Sequence, residues 1–282
     1  MNDLLNNIVK NKKALIGITI MLLVILTALL APLIAPHDPG AQDVTRRLRP
    51  PYFMGGSASY FLGTDALGRD ILSRVIFGSR ISLLVSLASV MGAGLIGSIL
   101  GLLSGYYGGK VDSIIMRIVD IQMALPYLIL AIAVMAVLKP GLQNVIIVLI
   151  VTGWVRYARV ARAQTLVVKE NEFVMAAVAL GAKRSWIVFS EIMPNILIPL
   201  LIIASLEIGQ MILGEATLSF LGLGVQPPVP TWGGMVADGR DYLSFAWWVP
   251  TLPGLAILMT VLGINFFGDW VRDSFDPRLR NL

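Results

Sequence analysis

The chain has 282 residues, 56% hydrophobic and 14% charged, with a formal net charge of +5, one histidine and no cysteine. Soluble domains carry about 25% charged residues, so a water-soluble core is excluded. The missing cysteine excludes disulfides, thiol nucleophiles and thiolate metal sites; the lone His37 excludes a histidine-cluster metal centre.

In chain order, six stretches carry the roughly 20 apolar residues a spanning helix needs: 14–35, 81–103, 118–138, 143–160, 196–213 and 249–267. They predict an all-α membrane bundle, with a tail at 1–13, a transmembrane domain at 14–271 and a second tail at 272–282. The first stretch is longer than the apolar region of a cleaved signal peptide, so it is expected to be retained. Six spans put both ends on one side. If that side is the cytoplasm, the inner segments hold fourteen Lys/Arg, among them Lys10, Lys12, Lys13, Arg156, Arg159, Arg162, Arg278 and Arg280. The outer segments hold eight, six of them in the loop 36–80. That bias favours cytoplasmic termini. The basic residues flank spans, with no stripe suited to nucleic acid, so lipid is the expected surroundings.

Gly97, Gly101 and Gly105 recur every four residues in the second span, a spacing that lets helix backbones approach closely. The partner is either another span of this chain or another subunit; packing within the chain is favoured.

The segment 164–194 is less apolar. A helix is expected over 167–180, stopped at Gly181, which can take the left-handed conformation that ends a helix. A short helix over 182–193 should follow, with Pro194 in the first turn of the fifth span. Ala176, Ala177 and Ala179, with Ala182 just past the turn, would give this helix–Gly–helix a flat face, suited to a groove in another protein or to lying at the membrane surface as a connector. Lys183 and Arg184 would meet acidic residues of such a partner or stay solvated.

Two outer stretches stand out. In 62–83, LGTDALGRDILSRVIFGSRISL, Asp65, Arg69, Asp70, Arg74 and Arg80 either pair among themselves or contact a partner; internal pairing is favoured. In 215–233, EATLSFLGLGVQPPVPTWG, Gly222, Gly224, Pro228 and Trp232 predict non-helical backbone, tolerated at membrane depth only when shielded or lining a cavity. It is read as an outer gate or a rigid loop. Inside the fifth span lie Glu207 and Gln210, with Glu215 at its end. Carboxylates there usually face a bundle interior or an aqueous path, so Glu207 is assigned to a translocation path, where it would meet a cationic substrate terminus, or to hydrogen-bonded packing. Asp120 and Gln122 are weaker instances.

The pattern A-A-x3-G-x12-P, carried by Ala176, Ala177, Gly181 and Pro194, resembles the coupling loop of permeases in binding-protein-dependent ABC importers. That family's consensus is Glu-Ala-Ala, three residues, Gly, nine residues, Ile-x-Leu-Pro; Met175, Glu191 and Met193 depart from it. The stretches 62–83 and 215–233, with GDWVRDSFDPR at 268–278, resemble the C-type permease of the peptide and nickel importer group. The resemblance runs from about residue 14 to the C-terminus and implies the six-helix type I importer fold in a prokaryotic cell membrane. It also implies a heterodimer with a related permease, two cytoplasmic ATPase subunits holding ATP and magnesium, and an extracytoplasmic binding protein delivering dipeptide, oligopeptide, glutathione or nickel. No phosphate-binding G-x-x-x-x-G-K-[ST] is present: GYYGGKVD at 105–112 lacks both the leading Gly and the hydroxyl residue. The chain is therefore expected to be non-enzymatic and to bind no cofactor of its own. A membrane enzyme would need a catalytic cluster that scattered carboxylates do not supply. A secondary transporter or channel would not need the loop at 176–194.

Overall fold

A computed structural model of the protein describes residues 11–275. Lys10, Arg278, Arg280 and the end of the GDWVRDSFDPR motif lie outside the described residues, as do most of the two expected tails. Nearly all regular structure in the described residues is helical. Five helices are long and apolar enough to cross a membrane, and a bent pair supplies a sixth crossing if counted as one.

Helix α1 (Lys12–Ile34) opens on Asn11, whose side chain accepts hydrogen bonds from the Lys13 and Ala14 N–H groups. After an outer loop with two 3-10 turns comes α2 (Ile71–Tyr107). At about 1.5 Å per residue, its 37 residues reach about 55 Å, well beyond a bilayer core of about 30 Å. It therefore starts ten residues before the expected 81, and residues 71–80 are helix, not loop. Arg74 and Arg80 hid this start from an apolar-run search.

The span expected at 118–138 is two helices, α3 (Gly109–Ala124) and α4 (Tyr127–Leu138), bent by 99°. The break falls at Leu125–Pro126, where proline disfavours helical backbone for the residue before it. Helix α5 (Leu142–Val168) runs eight residues past the expected end at 160.

The segment 164–194 also differs. Its expected first helix begins late, as α6 (Glu172–Ala179). Its second merges into the next span, giving a continuous α7 (Arg184–Phe220). The join is a π-helical turn at Ile187–Ile192. Pro194 has no N–H to donate and would crowd a regular turn; widening accommodates it, and the Asn195 amide donates to the Glu191 carbonyl at 2.6 Å. Helix α8 (Trp232–Gly239) begins at the end of the stretch 215–233, and α9 (Trp248–Phe275) is the last element among the described residues.

The most extensive packing is α2 against α5, along the glycine stripe. A Cβ at Gly97 would meet Tyr157 Cβ at 2.6 Å; at Gly101, Ala161 Cβ at 2.7 Å; at Gly105, Thr165 Cβ at 2.7 Å. The small residues thus seat one helix of this chain on another. Helix α7 packs on both members of this pair, α9 packs on α7, α1 lies along α9, and a continuous core runs from Val85 through Val148, Tyr157 and Ile196 to Leu218.

Candidate functional site

Three regions collect the predicted residues. The first is a cavity of about 260 Å³ between α4, α5 and α7, lined by Tyr127, Thr152, Arg156, Glu207, Gln210 and Met211, among others. Arg156 Nη1 donates to Glu207 Oε1 at 2.6 Å. The Glu207 side chain is 10% exposed and that of Arg156 53%. Arg156 is 14 residues from the start of α5 and Glu207 13 from the end of α7, so each sits about 20 Å along its helix. Arg156 thus sits within α5 and not at its end, as a partner for a carboxylate of α7.

Arg156 begins a ladder on α5. Arg159 pairs with Asp120 of α3 at 2.7 Å, and Arg162 grips Asp112 of α3 with two bonds of 2.5 and 2.6 Å. The ladder ties α5 to α7 at one rung and to α3 at two. Gln122 completes the α3 junction, accepting from Trp154 Nε1 at 3.0 Å and donating to the Val151 carbonyl at 2.8 Å. Of the predicted path residues, Glu207 and Gln210 share the cavity. Glu215 does not reach it: its side chain is fully buried and accepts from Ser219 Oγ at 2.7 Å.

The second region is the loop between α1 and α2, which is locked. Asp65 accepts from Arg69 Nε at 2.6 Å, from Arg74 Nη1, and from the Leu67 and Arg69 N–H groups at 2.9 Å. Asp238 of α8 faces the same two guanidinium groups at 3.4 and 3.5 Å. Asp70 caps α2, accepting from the Ser73 N–H and hydroxyl, while the His37 N–H donates to Ser73 Oγ at 2.9 Å. Asp65, Arg69, Asp70 and Arg74 are all buried; they hold the loop together and present no surface to a partner.

Trp232 is likewise buried, its Nε1 donating to the Val75 carbonyl of α2 at 2.9 Å, which pins α8 to the bundle. Gly222 and Pro228 are exposed and Gly224 is buried. Gly222 and Pro227 rim a larger depression of about 530 Å³ that includes Gln226, Asp238 and Arg240.

The third region is the turn after α6. Gly181 has φ +77°, and a Cβ there would meet nothing within 4 Å. Ala176, Lys183, Arg184 and Pro194 are exposed; Ala177 and Ala182 are half-buried against the chain's own core. The alanines therefore do not form one outward face. Among the described residues Lys183 and Arg184 make no ion pair. The outward surface is instead made of large apolar residues: Leu180 is 88% exposed, with Met175, Val178, Trp186 and Phe189 each about half exposed. Val174, Ile187, Val188 and Ile192 root this knob in the core. The sequence carries no signal that singles out Leu180 and Val178, because apolar residues beside spans are ordinary in a chain of this composition.

A bundle of apolar helices with a carboxylate–guanidinium pair lining an internal cavity fits the membrane component of a transporter. The chain belongs to the family of binding-protein-dependent transport system inner membrane components, which it matches over residues 97–281; it is thus a multi-pass permease subunit of an ABC transport system. Residues 2–51 match the N-terminal TM domain of oligopeptide transport permease C. The chain is 46% identical to the di/tripeptide transport system permease protein DppC of Pseudomonas aeruginosa, covering 96% of this chain and 90% of that protein. It is 47% identical to the probable D,D-dipeptide transport system permease protein DdpC of Escherichia coli, covering 92% and 85%. The fold is similar to the MetNI methionine ABC transporter, with a TM-score of 0.59 at 22% identity over 71% of this chain and 95% of that one. That likeness bears on fold alone and agrees with the expected type I importer bundle.

Proposed function

We propose that this permease forms half of a peptide-importing path, paired with a second, related permease and driven by two ATPase subunits that grip the turn around Gly181. An extracytoplasmic binding protein delivers the substrate, and both termini lie in the cytoplasm. ATP and magnesium act on the ATPase subunits; this chain binds no cofactor and catalyses no reaction. Peptides are favoured as substrate because the relatives at 46% and 47% identity are named for di/tripeptide and D,D-dipeptide transport.

The observation that carries the coupling role is the apolar knob of Leu180, Val178, Met175, Trp186 and Phe189. The α6 helix is only 8 residues long, too short to cross a membrane; its exposed apolar residues, continued by Trp186 and Phe189 at the start of α7, support a contact with a protein or the membrane surface, and the importer reading favours the protein. ATP-driven closure of the ATPase pair would pull two such knobs together, and the ladder on α5 would carry the movement to α3 and α7. The experiment is Leu180→Asp beside Gly181→Leu. Both sites are open, so the chain should fold and insert, with Gly181→Leu bearing only the roughly 1–2 kcal/mol of left-handed strain. Uptake and ATPase capture should both be lost. Normal uptake by Leu180→Asp would remove the docking role.

A further inference from the structure

The cavity beside Glu207 selects an occupant by its charges. We infer that it is a transient binding site for the zwitterion of a short peptide, with Glu207 receiving the α-ammonium and Arg156 the α-carboxylate. The inference rests on the importer reading of the chain.

Charges at this depth are expensive and are kept where they serve a path. Here they neutralise each other as a pair. Among the described residues Arg156 bonds Glu207 alone, through one nitrogen. A guanidinium has five N–H donors, so donors remain for a second carboxylate, which arginine binds well in a forked geometry.

Thr152 donates its hydroxyl proton to the Val148 carbonyl at 2.8 Å and lines the cavity beside Tyr127. Gln210 adds an amide, and Leu128, Met211 and Leu213 supply apolar wall. Tyr127, Leu128 and Leu213 at the cavity are each about 40% exposed, so the site is open at one side.

Charge balance decides the ligand class. A zwitterion replaces one internal pair with two external ones and buries no net charge. A ligand with a carboxylate alone, drawing Arg156 away, would leave Glu207, 10% exposed, uncompensated, which is strongly unfavourable; a ligand with an ammonium alone would leave the half-exposed Arg156 without the carboxylate partner that the zwitterion supplies. Size narrows it further: about 260 Å³ falls just below the usual range of small-ligand sites, roughly 300–1,000 Å³, and suits a peptide of very few residues.

The test uses the purified transporter, this chain with its co-purifying subunits, in lipid nanodiscs without the binding protein. Saturation-transfer NMR compares dialanine, N-acetyl-dialanine, dialanine amide and alanine. Dialanine should bind, and either cap should weaken binding about tenfold or more, the loss of one charged hydrogen-bonded contact. Glu207→Gln should erase the penalty for N-acetylation and keep that for amidation; Arg156→Gln should do the reverse.

If a single variant does not assemble, the exchanged pair Arg156→Glu with Glu207→Arg keeps the salt bridge. It should still prefer dialanine over both capped forms, and loss of that preference in an assembled complex overturns the site. Equal binding of free and capped peptides, alanine binding as tightly as dialanine, or single variants that weaken all ligands alike also overturn it. A preparation without ATPase subunits counts against the importer reading. A complete complex that hydrolyses ATP yet does not distinguish dialanine from its capped forms counts against the site alone.

Discussion

Replacing Gly101 with alanine sets two known effects against each other at one atom. A mid-helix alanine is better than glycine by about 1 kcal/mol in intrinsic preference. The new Cβ would stand 2.7 Å from Ala161 Cβ and 2.9 Å from the Ala158 carbonyl carbon, where carbon pairs prefer about 3.5–4.0 Å. Backbone and Cβ atoms have no rotamer to change, so α2 and α5 must separate by about 1 Å, and the contacts at Gly97 and Gly105 open with them. Overpacking of this kind costs about 1–3 kcal/mol and recurs in the neighbouring turns, so the net is a loss of about 1–2 kcal/mol. Gly254→Ala is the control: it also lies in a helix, but its nearest new neighbour is Val236 Cγ2 at 4.0 Å, and it should gain up to about 1 kcal/mol. Thermal unfolding of both variants and the parent in one detergent reads the difference. A Gly101→Ala protein as stable as the parent would refute the seam as the determinant of α2–α5 packing.

Asp65→Asn leaves the buried Arg69 and Arg74 short of their shared carboxylate and should destabilise the outer loop by about 3–5 kcal/mol, seen as faster proteolysis within residues 36–70. Trp232→Phe keeps an aromatic ring but loses the 2.9 Å bond to the Val75 carbonyl, which retains its partner within α2; it should cost about 0.5–1.5 kcal/mol, again in thermal unfolding. Arg162→Gln breaks the two-bond grip on Asp112 and should uncouple α3 from α5, lowering ATP-driven uptake more than ATPase activity when both are measured in proteoliposomes.

Much of the bundle was legible because apolar length is a physical requirement of a span. Gly181 was legible as a left-handed stop, and the spacing of Gly97, Gly101 and Gly105 as a close helix contact. Two errors had signals in the sequence. Pro126 stood inside the expected third span, and Asp70 with Ser73 formed a helix start ahead of Arg74; the apolar average outweighed both. The Arg156–Glu207 pair had none, because its members are 51 positions apart and Arg156 sits three residues from Arg159, so local charge pattern reads both as one flanking group. The alanines of α6 were misassigned because helical propensity does not say which face packs inward; the exposure of Leu180 depends on how α6 seats on Val174 and Ile187.

The most direct measurement of the central claim is gentle extraction of this chain from its native membrane, with mass spectrometry of what accompanies it, for the natural sequence and for Leu180→Asp. The account predicts a second permease and ATPase subunits in two copies with the natural sequence, and the permease without the ATPases for Leu180→Asp. Recovery of the natural chain alone, or undiminished ATPase capture by the variant, would contradict it.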